Sequence, residues 1–183
     1  MSKILVVSGH PDYKSSIANR AILDEFHRLV PQADIVYLDA EYPDFNIDVE
    51  REQRRLVEAD IIVFDFPFWW YSAPSLMHRY FEQVLSHGFA YGSTGTALHG
   101  KKVIFSFTAG APEAAYTPAG YQHYTMEQFI PQFRALSNLC GLSWQEPVCS
   151  FGMMLLDPAD KAAADRFYAE AKDHAQRLAA AVN

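Results

Sequence analysis

Only two cysteines, Cys140 and Cys149, occur in the 183 residues. They form neither a CxxC pair nor a zinc-type spacing, so a disulfide scaffold and a structural zinc site are excluded. Both read as reduced thiols that behave as small buried hydrophobes. No apolar run approaches the roughly 18 residues that a membrane span needs. Met1-Ser2-Lys3 runs straight into strand-like sequence, which reads as the absence of a signal peptide. Basic residues are scarce: 15 Lys and Arg stand against 22 Asp and Glu, for a net charge of −7. That balance argues against nucleic acid or a membrane surface as a general partner. Neither GxxxxGK(S/T) nor GxGxxG is present, which excludes a P-loop hydrolase and the dinucleotide fingerprint. The seven histidines make no close ligand cluster; His87 and His99 read as loop residues, and no metal is expected. With no repeat, linker or low-complexity tract, residues 1–183 are expected to form a single domain with one core.

What is present is a globular composition, half hydrophobic and 14% aromatic. Short apolar runs at Lys3–Ser8, Ala33–Leu38, Asp60–Phe66 and Lys101–Phe107 read as buried strands, with a weaker fifth at Ser143–Phe151. Helical patterns separate them. The first is capped by Ser15 or Ser16, buries Ile17, Ala21, Ile22, Phe26 and Leu29, and stops at Pro31. After a loop over Glu41–Asp48, Asp48 caps a charged helix over Val49–Ala59. Pro74 is placed as the first residue of a helix running to Ser86. A helix over Thr125–Cys140 contains Pro131, either as a kink or as its true start. Asp157 and Pro158 open the last helix, of which Ala162–Val182 has strong helix-forming composition. Alternating strands and helices predict an α/β protein: a three-layer, flavodoxin-like fold with a five-stranded parallel sheet, order 2-1-3-4-5, and helices on both faces.

In that fold, ligands bind at the loops after strands one, three and four. The first loop, Gly9-His10-Pro11-Asp12-Tyr13-Lys14, precedes a helix N-terminus, where free N–H groups favour a phosphate. Ser15, Ser16 and Asn19 add neutral hydrogen bonds, and His10 a donor or a charge. The second, Pro67-Phe68-Trp69-Trp70-Tyr71-Ser72-Ala73-Pro74, sets bulky rings in a strand-to-helix turn and suits a flat, electron-poor ring system. The third, Thr108-Ala109-Gly110-Ala111, leaves main-chain N–H groups open to a ligand's polar edge. The Tyr116 hydroxyl follows and is placed to stabilise negative charge. Each loop alone also has a plain reading: a capped helix with a surface histidine, packing aromatics, an ordinary strand-to-helix connection. Together they offer a phosphate cradle, an aromatic platform and a donor edge, the three things a flavin mononucleotide needs.

The chain also resembles the flavodoxin-like NAD(P)H:quinone oxidoreductases, and among them the ancillary subunits of glutathione-regulated potassium-efflux systems. The resemblance rests on Gly9-His10-Pro11 with Ser16-Ile17-Ala18-Asn19; Tyr42-Pro43-Asp44-Phe45-Asn46-Ile47-Asp48; the Pro67–Pro74 segment; Ser86-His87-Gly88-Phe89-Ala90-Tyr91-Gly92; and Gly95-Thr96-Ala97-Leu98-His99-Gly100-Lys101. It runs over nearly the whole chain. It implies that His10, Ser16, Ile17, Ala18 and Asn19 hold a flavin's phosphate and ribityl chain. It implies further that Pro67, Phe68, Trp69 and Trp70 hold the isoalloxazine ring, and that Thr108, Ala109, Gly110 and Ala111 bind its pyrimidine edge. Tyr116 matches a tyrosine near the flavin O2, and Tyr91 an aromatic that lines the partner subunit's site in a homodimer. Two positions depart from the family pattern: Trp69 stands where Gln is frequent, and Ala111 replaces a glycine. The family's relay histidine aligns nearest Gln122, with His123 one place away, and the relay stays unassigned.

The resemblance implies FMN, with FAD as the alternative, and NAD(P)H as electron donor. It implies an NAD(P)H dehydrogenase (quinone) working by two-electron ping-pong hydride transfer to a quinone or a similar flat acceptor. An azo- or nitroreductase, a one-electron carrier, or a regulatory flavoprotein subunit of a potassium-efflux transporter are the other readings. The protein is expected to be cytoplasmic, or peripheral at the inner membrane through that transporter.

Overall fold

The computed structural model describes residues 2–155, 157 and 159–183. The strands are Ile4–Ser8 (β1), Asp34–Tyr37 (β2), Ile61–Pro67 (β3), Lys102–Thr108 (β4), Ser143–Trp144 (β5) and Val148–Ser150 (β6). The helices are Ala18–Leu29 (α1), Leu38–Glu41 (α2), Val49–Glu58 (α3), Ser75–Val84 (α4), Met126–Phe129 (α5), Pro131–Leu139 (α6) and Lys161–Ala181 (α7). Every strand pairing is parallel, in the order β2-β1-β3-β4-β5, with β6 also on β4. This is the flavodoxin-like order read from the sequence.

The alternation of side chains along each strand divides the core in two. Leu5, Val7, Ile62, Phe64, Phe66, Phe105 and Phe107 face α3, α4 and α6. Ile4, Val6, Val63 and Ile104 face α1 and α7. All residues of β1 and β3 are buried, which is why they read as unbroken apolar runs rather than alternating ones.

Several boundaries differ from the sequence expectation, each for a local reason. The expected fifth strand is two pieces, because Pro147 has no N–H to give to a ladder. The Gln145 N–H still donates to Val103 O at 3.0 Å, and the chain rejoins β4 at Val148. Neither Ser15 nor Ser16 caps α1. Asp12 caps a 3-10 turn over Tyr13–Ser15 instead, and α1 starts after Ile17 without a side-chain cap. Ile17, expected in the buried stripe, is 41% exposed; Asn19, Ile22, Leu23 and Phe26 are the buried ones. The loop expected from Glu41 loses its first residue to α2. Pro74 stays extended (ψ 161°), so α4 begins one residue later. Pro131 is the true start of α6, and α5 is a separate turn closed by a Thr125–Gln128 capping box. Asp160, not Asp157, caps α7; Pro158, expected beside it, lies outside the described residues.

Gly9 fixes how closely the end of β1 approaches α4. A Cβ there would lie 2.6 Å from Met77 Cε and 2.7 Å from Met77 Cβ. Gly9→Ala is therefore expected to destabilise by about 1–3 kcal/mol through overpacking. Urea unfolding of Gly9→Ala, Met77→Ala and the double variant checks it: the double should cost less than the sum, because Met77→Ala removes the Cε contact, though its Cβ stays. Simple additivity would remove this contact as the cause.

Candidate active site at the carboxyl edge of the sheet

The loops after β1, β3 and β4 leave the same edge of the sheet, and side chains tie them together. The Asn19 Nδ2 group of α1 donates to Asp65 Oδ2 of β3 at 3.1 Å, and Thr108 Oγ1 of β4 donates to Asn19 Oδ1 at 3.2 Å. His10 and Trp69 meet edge to face, 5.2 Å between ring centres. Phe68 N–H donates to Thr108 O at 2.8 Å. Sites expected separately in three loops are thus in direct contact.

Around the first loop, α1 begins at Ala18. The N–H groups of Ile17, Ala18, Asn19 and Arg20 therefore precede any intrahelical acceptor and make an anion site with the helix dipole. His10 is buried, and its Nδ1 accepts from Asp12 N–H at 3.1 Å. That bond leaves the proton on Nε2 and makes the ring a donor. Burial lowers its pKa below the usual value, against the pull of Asp39 and Asp12. His10 is thus a neutral donor rather than a charge. The Asn19 side chain turns inward, so its contribution to the loop is its backbone N–H.

The aromatic turn is strained. Trp70 and Tyr71 have φ of 50° and 64°, and Ser72 N–H donates back to Trp69 O at 3.1 Å. Positive φ at both central positions gives a primed turn without the glycine that usually permits it. The strain holds rings outward: Trp69 is 45% and Trp70 92% exposed, while Phe68 is buried against Phe107. The exposed platform is therefore Trp69, Trp70 and Tyr71, with Pro67 and Phe68 as its support. Phe129 of α5, not singled out by sequence, is the hub behind it. Its ring meets Tyr71 in a stack at 5.1 Å, and Phe68, Tyr116 and Tyr124 edge to face at 6.1, 5.9 and 5.7 Å.

On the β4 loop, Ala109 is buried and its N–H is taken by Ser150 O at 2.8 Å. Among the described residues, Gly110 and Ala111 N–H have no partner within the chain, so the donor edge narrows to these two. Tyr116 is buried beside Phe129 and Phe151. Burial, then the nearby Cys149, Tyr121 and Tyr71, raise its pKa above 10, so the hydroxyl stays a donor. Tyr91 packs on His87 at 5.6 Å and makes no ring contact with the aromatic turn among the described residues.

Sequence reasoning also passed over Asp65. The one signal for it was a lone carboxyl inside the apolar run Ile61–Phe66. In register it stands between Ser8 and Ser106. It is fully buried with only neutral partners, and burial raises its pKa to about 6 against the bonds from Ser106 and Asn19. Ser8 Oγ, beside it, is buried without a partner among the described residues. No group of three or more His, Cys, Asp or Glu side chains is placed to hold a metal among those residues.

This arrangement fits a flavin mononucleotide in donor chemistry. Backbone N–H groups would suit its phosphate, outward rings its tricyclic system, and the Gly110 and Ala111 N–H groups its carbonyl edge.

Known proteins share this architecture. Residues 2–175 match the family model described as "Flavodoxin-like fold". The uncharacterized NAD(P)H oxidoreductase YrkL of Bacillus subtilis (strain 168) is 37% identical over 160 residues, covering 86% of this chain and 90% of that protein. The glutathione-regulated potassium-efflux system ancillary protein KefG of Pectobacterium carotovorum subsp. carotovorum (strain PC1) is 38% identical over 168 residues, 92% of this chain and 91% of that one. The crystal structure of general stress protein 14 from Treponema denticola in complex with FMN superposes with a TM-score of 0.86 at 27% identity, covering 97% and 98% of the two chains. The strand order and a match over nearly its whole length establish that the chain belongs to the flavodoxin-like family.

Proposed function

We propose that the protein is an FMN-dependent NAD(P)H:quinone oxidoreductase. The observation that carries this is the convergence of three loops at one sheet edge, joined by the Asn19–Thr108 bond and the His10–Trp69 contact. The FMN complex of the Treponema relative and the oxidoreductase name of the Bacillus relative support it. A bound flavin supplies the centre that takes a hydride from the nicotinamide and gives it to the acceptor in separate half-reactions.

The chain's own residues bind, orient and polarise. The N–H groups of residues 17–20 meet the phosphate with no lysine or arginine required, and His10 Nε2–H adds a neutral donor. Trp69 and Trp70 give flat surface for the ring, while Phe68 and Phe129 keep its supporting side dry. The Gly110 and Ala111 N–H groups and the Tyr116 hydroxyl stabilise negative charge developing at the ring's pyrimidine edge. A half-open aromatic site accepts flat molecules, which favours a quinone and also admits azo and nitro compounds. In the assembly we infer, a homodimer, Tyr91 lines the partner subunit's acceptor site. No described helix is long and apolar enough to cross a membrane. A cytoplasmic protein that docks peripherally on a potassium-efflux transporter fits that, and the KefG relative supports it.

The purified protein is expected to be yellow, or to become so with FMN, and to turn over NADH or NADPH repeatedly only when a soluble quinone is supplied. A colourless preparation that stays inert with FMN, both nicotinamides and a quinone ends this reading. Tyr116→Phe keeps the ring packing and removes only the hydroxyl. It is expected to retain FMN and to lose about tenfold or more in kcat. Stopped-flow traces should place the loss in the half-reaction that reduces the flavin, since the hydroxyl serves the reduced, anionic ring.

A further inference from the structure

The polar row on the α1/α7 face continues into a chain that the roles above do not use. Ser106 Oγ lies 2.7 Å from Asp65 Oδ1 and 2.9 Å from His174 Nε2. His174 Nδ1 lies 3.0 Å from Ser150 Oγ, which lies 2.7 Å from Glu170 Oε1. Arg177 Nη2 donates to the same Ser150 Oγ at 2.8 Å. Asp65, Ser106, Ser150 and His174 are buried. Glu170 reaches the surface, where Arg177 pairs with it at 3.4 Å.

Counting protons, together with the burial of its two ends, fixes the direction of this chain. A serine hydroxyl has one proton to give. Equal 2.7 Å contacts at the two ends leave one carboxyl to carry the extra proton. Asp65 is buried without a cation and Glu170 reaches the surface beside Arg177, so Ser150 gives its proton to Glu170 and His174 Nδ1 must donate to Ser150. An imidazolium would donate from both nitrogens, but burial, and then Arg177, oppose the charge and lower the His174 pKa to about 3. A neutral ring protonated on Nδ1 accepts at Nε2, and Ser106 supplies that proton. Ser106 then has none left for Asp65. Two acceptors would face each other at 2.7 Å unless the carboxyl itself carries a proton.

We propose that Asp65 is a positioning residue held as the neutral acid, donating into a one-way chain through Ser106, His174 and Ser150 to Glu170. Its other oxygen accepts from Asn19, so the acid sets the orientation of Asn19 and, through it, Thr108. The groups facing Asp65 are Ser8 of β1, Asn19 of α1 and Ser106 of β4. Tyr13 and Tyr37, at the ends of the loop and strand nearby, feel its charge. His174 of α7 faces Arg177 and Asp173. No cation is among the causes acting on Asp65, and burial raises its pKa from 3.8 to about 6. The proton therefore stabilises the fold fully below pH 3.8, and that contribution is lost as pH rises through about 6. Loss of the proton reverses every donor in the chain. A phosphate at the α1 N-terminus would place a like charge on the same face and push the value up; this last point alone rests on the flavin reading.

Long-range proton–nitrogen NMR of the histidine rings reads the chain directly in the free protein. Near about pH 5 the expected His174 ring is protonated on Nδ1, and above about pH 7.5 on Nε2, as the chain reverses. In Asp65→Asn the amide donates to Ser106 as the acid does, and the Nδ1–H ring should persist at both. Glu170→Ala, a surface change, frees the Ser150 proton and should lower the switching pH by about one unit. An Nε2–H ring or an imidazolium in the wild type near about pH 5 overturns the proposal, as does an unmoved switch in Glu170→Ala. Saturating FMN is expected to raise the switching pH by about one unit, equal to a roughly tenfold weaker affinity above the switch that Asp65→Asn abolishes. FMN that binds without moving the switch overturns the coupling. Absence of FMN binding overturns the proposed function instead, and the ring signatures still decide the chain.

Discussion

Burying a carboxyl without a cation is the constraint around which this site is arranged. An ionised Asp65 in the middle of a parallel sheet would carry a solvation penalty that no partner here offsets. The sheet meets the problem with neutral hydrogen-bond partners drawn from three elements: Ser106 from β4, Asn19 from α1 and, one bond further, His174 from α7. Those bonds fix more than the carboxyl. They set the first turn of α1 against the end of β4, so that the helix N-terminus and the Thr108 loop open on the same space. An apolar residue at position 65 would pack as well, yet it would leave Asn19 Nδ2 without its acceptor and Ser106 with His174 alone. The placement of the α1 N-terminus beside the Thr108 loop therefore follows from how one buried acid is satisfied.

The two faces of the sheet divide the remaining work. On the α1/α7 face, the strand ends present Ser8, Asp65, Ser106 and Ser150. On the opposite face the neighbouring positions are Phe66, Phe68 and Phe107, backed by Phe129 and Phe133. Period-two alternation makes this segregation automatic once the register is set. Polar groups that handle charge lie on one side of the edge. The rings that offer flat, dry surface lie on the other, and a ligand at the edge meets both.

The fold was legible in the chain because buried parallel strands announce themselves as short apolar runs with no alternation. Ile61–Phe66 and Val103–Phe107 needed no tertiary knowledge. The fifth strand was not legible: Ser143–Phe151 has strand composition throughout, and only its missing N–H at Pro147 splits it. The start of α1 was misread for a related reason. Ser15 and Ser16 are good capping types, but Asp12 competes for the same turn and wins by bonding Ser15 N–H at 3.3 Å. Among site residues, those on loops following strands could be named, because the topology says where such loops go. Phe129 and His174 could not, since each sits in an ordinary helical pattern and acquires its place only by packing.

The aromatic turn shows why a strained conformation can persist where the sequence offers no glycine. Two bulky residues at positive φ are disfavoured locally, by about 1–3 kcal/mol each for such backbones. Pro67 and Phe68 anchor the entry to the turn at the sheet, where Phe68 N–H bonds Thr108 O. Beyond the turn Ser72 Oγ bonds His78 Nε2 at 3.0 Å on the first turns of α4, and Tyr71 stacks on Phe129. With both ends and one side chain held, the chain between has no unstrained path, and Trp70 is left projecting into solvent. An indole in that position gains nothing for the isolated fold. Under the proposed function it is surface for a flat ligand to cover, which would place the cost of the strain on the fold and its return on the ligand.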